Sequence, residues 1–276
     1  MWSRSLSWRR STWSQDCRPD RSRGDGTMTT SATPVVLIAG MNLSDRLWSR
    51  CELPPGTVLV TLQDDSVDAA VGRLLDELPP RFILGGLSLG GIVAMHLVAR
   101  APDRVAGLML MATNARSPTA EQLEGWAATI EELAGARHRS AGTGPREYQE
   151  SILPLLLSDP GVDDWSAVVT DSAADLTTDT LINQLTLQQS RTDARPGLRR
   201  CHAPTVILAG DRDALCPVSN HEEIRDALPE DTSVSLTVLH GVGHLIPIEA
   251  PGAVVSALDT LLHHTQTTLE RTCTTP

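Results

Sequence analysis

Aromatic side chains are scarce in this sequence: phenylalanine and tyrosine each occur once among its 276 residues. An apolar pocket in such a chain is therefore predicted to have walls of leucine, isoleucine, valine and methionine. Basic charge is also in short supply, because 23 basic residues face 34 acidic ones and leave a net charge of −11. A chain this acidic lacks the basic surface that binding to nucleic acid or to an anionic membrane requires.

Cysteines are few and scattered. The five cysteines are odd in number and form no CxxC pair, a pattern that predicts neither a disulfide framework nor a zinc site and is typical of a reducing cytoplasm. No run approaches the roughly 18 apolar residues that a membrane-spanning helix needs. We therefore predict a cytoplasmic protein with no metal, no cofactor and no membrane partner, whose oligomeric state the sequence leaves open.

The first 27 residues differ from the rest of the chain. They carry six arginines and three of the six tryptophans, without apolar periodicity. The pair Arg9-Arg10 is similar to a twin-arginine export signal, but no apolar segment follows it. We predict that residues 1–27 are either a disordered tail or an extension ahead of a true start at Met28.

From Thr33 onward, short apolar runs alternate with helical patterns. The predicted strands are 34–40, 57–62, 81–84, 104–112, 204–210 and 233–240. This alternation predicts an α/β fold: a mostly parallel sheet of about six strands with right-handed crossovers and helices on both faces. Residues 115–199 interrupt the alternation with candidate helices at 120–135, 146–157 and 163–191. We predict that this block is a helical cap inserted into a core formed by residues 28–114 and 200–276.

A glycine-rich stretch, GGLSLGG at residues 85–91, lies where the third predicted strand becomes a helix. A serine at the tip of such a turn adopts a strained backbone conformation that exposes its hydroxyl above the sheet. Gly86 and Gly90, two residues before and after Ser88, would avoid a steric clash between the two sides of the turn. A glycine turn with an incidental serine is the alternative, but the strand-to-helix position favours Ser88 as a nucleophile.

A serine hydroxyl is a weak nucleophile and needs a histidine base, which a third group orients. His244 lies in a glycine-containing loop after the last predicted strand, at the same sheet edge as Ser88, whereas His240 ends that strand and is predicted to be structural. Asp211 and Asp213 follow the fifth predicted strand, so each could place a carboxylate at this edge. The other histidines are predicted to lie on the surface or to pack within a helix: His96, His138, His202, His221, His263 and His264.

Together these motifs resemble the α/β-hydrolase superfamily, and the resemblance extends from Thr33 to about Leu262. The matching segments are Ile38-Ala-Gly-Met-Asn42, the turn from Gly86 to Gly90, the loop from Gly210 to Pro217, and Gly243-His244. The resemblance implies that Ser88 is the nucleophile, His244 the general base and Asp213 the orienting acid. It also implies an oxyanion hole formed by the backbone N–H groups of Met41 and Leu89.

The choice between the two aspartates rests on their places in the loop. Asp213 occupies the acid position of the superfamily in Gly-x-x-Asp-x-x-x-Pro217. Asp211 directly continues the strand and is expected to accept N–H bonds from the residues that follow it. Two features depart from the superfamily pattern: Ala39-Gly40 stands where His-Gly is common, and the usual N-terminal β-hairpin is not evident. Neither departure removes a group that the proposed chemistry uses.

The resemblance gives the helical block the role of a cap that roofs the pocket. Gln188, Gln189, Arg191 and Asp193 close the cap, and one or two of them are expected to touch substrate. The selected candidate contacts are Asn42 in the first turn, Trp126 on an apolar cap face, and Gln189 and Arg191. The predicted function is hydrolysis of a small carboxylic ester or lactone through an acyl-enzyme. A thioesterase or acyltransferase would use the same three residues, and a non-catalytic binding protein on this fold is the alternative of another class.

Overall fold

The computed structural model describes residues 33–137 and 144–274, so the predicted extension 1–27 and His138 lie outside the described residues. The strands are β1 (Val35–Ile38), β2 (Val58–Val60), β3 (Phe82–Leu87), β4 (Val105–Met111), β5 (Thr205–Gly210) and β6 (Val234–Leu239). The α-helices are α1 (Val67–Glu77), α2 (Leu89–Arg100), α3 (Ala120–Arg137), α4 (Gly144–Leu156), α5 (Asp163–Ala174), α6 (Thr178–Ser190), α7 (Arg195–Leu198), α8 (Val218–Ala227), α9 (Ile246–Glu249) and α10 (Pro251–Thr274).

The described strands form one parallel sheet in the order β2-β1-β3-β4-β5-β6. The predicted α/β fold with a parallel sheet of about six strands is therefore confirmed. The chain steps outward from β1 to β2 and then returns to place β3 on the other side of β1. Such a reversal opens a crevice beyond the carboxyl ends of β1 and β3, which is where ligands bind in sheets of this kind.

Alternating side chains of the four central strands, β1, β3, β4 and β5, enter two apolar layers, one on each face of the sheet. In β1, Val36 and Ile38 pack into the layer that holds α1, α2 and α8. Val35 and Leu37 pack into the opposite layer with α9 and α10. This alternation follows from the two-residue period of a strand, and burial on both faces explains why the strands read as continuous apolar runs.

Five helices, α3 to α7, lie in the described chain between β4 and β5. The predicted single helix over 163–191 is wrong, because α5 ends at Ala174 and α6 begins at Thr178. Thr177 separates the two helices, since its hydroxyl accepts a hydrogen bond from the Thr180 N–H at 3.1 Å and so caps α6. The last helix runs to Thr274, twelve residues beyond the predicted end at Leu262. The division into core and cap stays a prediction.

No helix in the described ranges combines the length and the apolar character that crossing a bilayer demands.

The turn around Ser88 depends on glycine, and we expect Gly90→Ala to destabilise the protein strongly. A Cβ at Gly90 would overlap the backbone carbonyl of Ile38 and lie 2.7 Å from the Ala39 oxygen. Because backbone atoms of a central strand cannot move aside, we expect the free energy of unfolding to fall by at least about 1–3 kcal/mol. Thermal and urea denaturation measure this loss.

Gly72→Ala is the matched control. Gly72 lies within α1, and a Cβ there would meet nothing within 4 Å. Alanine is the better helix former, so this variant should gain about 0.5–1 kcal/mol. Equal effects of the two substitutions would contradict the packing assigned to Gly90.

Candidate active site

Ser88 occupies a one-residue turn between β3, which ends at Leu87, and α2, which begins at Leu89. Its backbone has φ 51° and ψ −115°, a conformation that costs a non-glycine residue about 1–3 kcal/mol. The end of β4 holds this strained residue in place. The Ser88 N–H donates to the Met111 carbonyl at 2.9 Å, and the Thr113 hydroxyl donates to the Ser88 carbonyl at 2.8 Å.

The two glycines of the turn allow close contact with different parts of the backbone. A Cβ at Gly86 would overlap the backbone of Gly90, as the sequence predicts. A Cβ at Gly90 would instead meet the carbonyl of Ile38 in β1. The expected clash is confirmed for Gly86, whereas the nearest atoms to a Cβ at Gly90 belong to β1 and the residue after it, so the small size of Gly90 lets α2 approach the central strand.

A buried imidazole–carboxylate pair lies beyond β5 and β6. His244 Nδ1 lies 2.9 Å from Asp213 Oδ2, with 3% of the histidine side chain and none of the aspartate side chain exposed. The ionised carboxylate can only accept, so Nδ1 carries the hydrogen and leaves Nε2 as the basic nitrogen. The N–H of His244 donates to the Leu156 carbonyl at 3.0 Å, which fixes this loop against the end of α4.

The Asp213 carboxylate is held in its ionised form. Its other oxygen, Oδ1, accepts the N–H groups of Leu215 and Cys216 at 2.8 and 2.9 Å. Burial acts to raise the pKa of Asp213, but the charge and hydrogen bond of His244 and these two N–H bonds outweigh it and hold the pKa below its usual range. An ionised carboxylate beside Nδ1 favours the imidazolium that forms when His244 takes a proton.

The rival pair lies at the surface. Asp211 accepts from His240 Nδ1 at 2.6 Å and from the Gly241 N–H at 2.7 Å. The His240 side chain is 95% exposed. The expectation that Asp211 accepts N–H bonds from the residues after it is therefore wrong, because both donors come from the end of β6. This pair connects two neighbouring strand ends and does not line the cavity described next.

A cavity of about 300 Å³ opens over the carboxyl ends of the central strands. Ser88 and His244 both line it, together with Met41. The expectation of purely aliphatic walls is wrong, because Trp126 and Tyr148 also line the cavity. The scarcity of aromatic residues in the chain as a whole did not predict how they are distributed, and α3 and α4 place two of them here.

The predicted oxyanion donors lie beside the serine. Leu89 is the first residue of α2, where a backbone N–H has no acceptor within its own helix. Met41 follows β1 and lines the cavity, and no described residue accepts a hydrogen bond from its N–H. The Leu89 N–H thus lies next to Ser88 at the positive end of the α2 dipole, and the Met41 N–H is a second candidate donor at the same cavity.

The four predicted substrate contacts divide into two pairs. Trp126 and Arg191 line the cavity. Asn42 does not, because it is fully buried and its groups bind the cap: its N–H donates to Gln184 Oε1 at 2.6 Å, and its Nδ2 donates to the Pro145 carbonyl at 2.8 Å. The prediction of Asn42 as a substrate contact is contradicted by this packing.

Gln189 also lies away from the cavity, and its amide reaches the Leu123 carbonyl at 3.4 Å. Gln188 lines the cavity in its place. Residues three apart share a helix face, whereas adjacent residues point about 100° apart. Gln188 lies three residues before Arg191, so this spacing was the signal that favoured Gln188 over Gln189 as a residue of the cavity.

His221 is the main residue that sequence reasoning missed. It is fully buried and not at the surface as predicted. Its Nε2 accepts the Thr113 N–H at 3.1 Å, and its Nδ1 lies 3.2 Å from the Pro217 carbonyl. Burial lowers the pKa of His221, which favours the neutral ring that this bonding pattern needs. His221 thus supports Thr113, which in turn holds the Ser88 carbonyl.

Asp213, Cys216 and His244 bring three potential metal-ligand atoms within 4.8 Å of one another. Burial, and then the Asp213 charge, raise the pKa of the Cys216 thiol to about 12, so the thiol stays protonated at neutral pH. Metal binding requires a thiolate, and His244 Nδ1 is engaged with Asp213. The arrangement therefore suits a proton-transfer pair better than a metal centre.

A strained serine follows β3 of the parallel sheet, and the imidazole and carboxylate of a buried pair follow β6 and β5. This is the architecture of an α/β-hydrolase. The chain belongs to the alpha/beta hydrolase family, whose model matches residues 1–257. The predicted superfamily, and with it the prediction of an enzyme of this class, is confirmed by that match.

Known proteins similar to this chain carry several different names. A pimeloyl-[acyl-carrier protein] methyl ester esterase of Neisseria meningitidis serogroup C is 29% identical over 157 residues, which are 56% of this chain and 60% of that esterase. The putative non-heme bromoperoxidase BpoC of Mycobacterium tuberculosis is 26% identical over 247 residues, 82% of this chain and 92% of that protein. The crystal structure of the enol-lactonase from Burkholderia xenovorans LB400 superposes with a TM-score of 0.71 at 18% identity, covering 87% and 94% of the two chains.

Proposed function

We propose that the protein is a serine hydrolase that cleaves a small carboxylic ester or lactone through an acyl-enzyme. The observation that carries this proposal is the buried His244–Asp213 pair, which opens on the same cavity as Ser88. The names of the Neisseria esterase and the Burkholderia enol-lactonase support the ester or lactone class.

In the proposed acylation step, His244 Nε2 takes the hydroxyl proton of Ser88 while Oγ attacks the ester carbonyl carbon. The carbonyl oxygen becomes an oxyanion that accepts the N–H groups of Met41 and Leu89. The imidazolium then gives its proton to the leaving alkoxide, and the alcohol departs. Asp213 holds the imidazole in the required tautomer and stabilises its charged form.

Deacylation repeats these steps with water. His244 takes a proton from the water as its oxygen attacks the acyl carbon, and the second oxyanion occupies the same pair of N–H groups. Collapse releases the carboxylic acid, and the proton returns to Ser88 Oγ. For a lactone, alcohol and acyl group are one molecule, so the ring-opened hydroxy acid leaves only at this stage.

We expect the acyl group to be of moderate size. The cavity volume of about 300 Å³ is at the lower end of small-molecule sites. Among p-nitrophenyl esters from acetate to palmitate, kcat/KM should therefore be highest at an acyl length of about four to eight carbons. The Ser88→Ala variant, which lacks the proposed nucleophile, gives the background rate of hydrolysis. A maximum at palmitate, or a preference for long-chain lipid emulsions, would contradict the assigned size.

The same assay can separate the acyl-transfer alternatives. Butyryl esters, the matched butyryl thioesters and simple lactones are compared at equal concentration, with and without an added alcohol acceptor. Oxygen esters or lactones should be turned over with release of the free acid. Faster turnover of the thioester would assign a thioesterase, and transfer to the alcohol in preference to water would assign an acyltransferase.

A further inference from the structure

Arg191 is a buried cation at the candidate active site. It directly follows α6, lines the same cavity as Ser88 and His244, and is only 5% exposed. Arginine is among the residues least often buried, because taking its charge out of water is costly unless a partner compensates for it. The identity of its partners therefore matters.

The described partners of Arg191 are all neutral. Its Nη1 donates to Gln188 Oε1 at 2.9 Å, and its Nη2 donates to Gln122 Oε1 at 3.0 Å. The guanidinium carbon lies 5.2 Å from the centre of the Trp126 ring. The buried Nε has no hydrogen-bond partner among the residues that the structure describes. Amide oxygens and a ring face orient the guanidinium, but neither supplies a negative charge.

Five more exposed arginines of the described chain pair with a carboxylate, although they need compensation less, whereas the half-buried Arg104 donates to backbone carbonyls. Each of the following pairs joins an arginine to a carboxylate: Arg46–Asp175, Arg73–Asp64, Arg116–Glu223, Arg146–Asp171 and Arg195–Asp193. In a chain with 34 acidic residues, carboxylates are abundant. Within residues 33–137 and 144–274, none of them pairs with Arg191.

Among the described residues, no carboxylate pairs with the Arg191 guanidinium to balance its charge at the cavity wall. Burial lowers the pKa of Arg191, although an arginine stays protonated in any protein at neutral pH. A guanidinium has more N–H donors than two bonds to amides use, and its planar fork matches a carboxylate. A ligand that brings a carboxylate into the cavity would supply the missing charge.

We infer that Arg191 binds a carboxylate of the substrate, so that the preferred substrates are esters or lactones that also carry a free carboxylate. The cleavage of such substrates rests on the proposed function, whereas the binding of a carboxylate by Arg191 does not. Gln122 and Gln188 then serve as positioning residues, because their amide oxygens hold the guanidinium plane at the cavity wall.

A purely structural role is the competing explanation. Through Gln122 and Gln188, Arg191 also connects α3 to α6. Such a connection would stabilise the protein equally for every substrate. It would not make the enzyme distinguish a charged ester from a neutral ester of the same shape, and this difference separates the two explanations.

The first test compares charged and neutral esters on the wild-type enzyme. Monomethyl esters of dicarboxylic acids from succinate to suberate are compared with the corresponding dimethyl esters, by methanol release. Carboxymethyl butyrate and ethyl butyrate form a second pair, with the carboxylate on the alcohol side. We expect kcat/KM to favour the charged member by about 10- to 100-fold in one of the two pairs, as for a hydrogen bond to a charged group. No preference for charge in either pair would overturn the inference.

Three variants then locate the effect. Arg191→Gln should abolish the preference for the charged ester, mainly through a higher KM. Arg191→Lys should restore part of it, because the charge returns without the planar fork. Arg81→Gln removes the same charge from an exposed residue before β3 and should leave the preference as in wild type. If Arg191→Gln keeps the preference, or Arg81→Gln loses it equally, the assignment to Arg191 is wrong.

Binding without turnover separates this inference from the proposed function. Adipate is titrated into Ser88→Ala and into Ser88→Ala/Arg191→Gln, with the heat of binding and the melting temperature as readouts. Saturable binding that only the first protein shows supports the carboxylate site even if no ester is ever hydrolysed. The opposite result has three parts: neutral esters are hydrolysed, charged esters are not preferred, and the two proteins bind adipate equally. This result overturns the carboxylate site and leaves the proposed function intact.

Discussion

Ser88→Ala is expected to lower kcat for ester hydrolysis by about a thousandfold or more. The hydroxyl oxygen is the atom that forms the acyl-enzyme, so removing it leaves only the oxyanion donors and the cavity to act on the substrate. The fold should persist, because Ser88 Oγ makes no hydrogen bond to a described residue and the turn is held through the backbone N–H and carbonyl of Ser88, which alanine keeps. Alanine can occupy the same backbone conformation at similar cost.

Initial rates with p-nitrophenyl butyrate measure this effect, and thermal denaturation checks that the fold remains. Ser256→Ala is the matched control, since Ser256 is exposed on α10 and does not line the cavity. It should turn over substrate like the wild type. If the Ser88→Ala protein were folded yet kept more than about a thousandth of the wild-type kcat, a covalent role for Ser88 would be untenable.

Asp213→Asn should reduce kcat by about ten thousandfold, the size of the loss when the orienting acid of such a triad becomes an amide. The asparagine amide can donate to Nδ1 of His244 and so favours the tautomer in which Nε2 carries the hydrogen. That nitrogen can no longer accept the Ser88 proton. Asp213 also accepts two backbone N–H groups, so part of the loop's stability should be lost as well.

Asp211→Asn is the control for this substitution. Asp211 makes the same kinds of bond, to a histidine and to a backbone N–H, but it does so at the surface. We expect a small change in melting temperature and a kcat within about threefold of wild type, since exposed pairs contribute about 0–1 kcal/mol. The reverse pattern of kcat losses would assign the orienting acid to Asp211.

Much of the fold could be predicted from the sequence because its signals are local. The strands of a doubly covered parallel sheet are continuous apolar runs, and their ends lie within a few residues of the predicted ones. The turn at Ser88 has an equally local cause, since the strained backbone and the close approach of β1 both require small neighbours. The choice of Asp213 over Asp211 followed from its place in the loop and from the resemblance.

The features that sequence reasoning missed depend on contacts between distant segments. His221 is buried because it accepts from Thr113, more than a hundred residues earlier in the chain. Asn42 faces the cap because Gln184 and Pro145 pack against the first turn. The break before α6 had a local signal in Thr177, but the apolar period on both sides concealed it. Periodicity reports which face of a helix is apolar and not which segment covers it.

The most direct test of the account is to trap the nucleophile. A fluorophosphonate reacts covalently only with a serine whose neighbours activate it. After treatment of the wild-type protein and digestion, mass spectrometry should find one adduct, on the peptide that contains Ser88. The adduct should be absent from Ser88→Ala and much slower to form in Asp213→Asn. A folded wild-type protein that takes up no label, or carries it at another residue, would contradict the account.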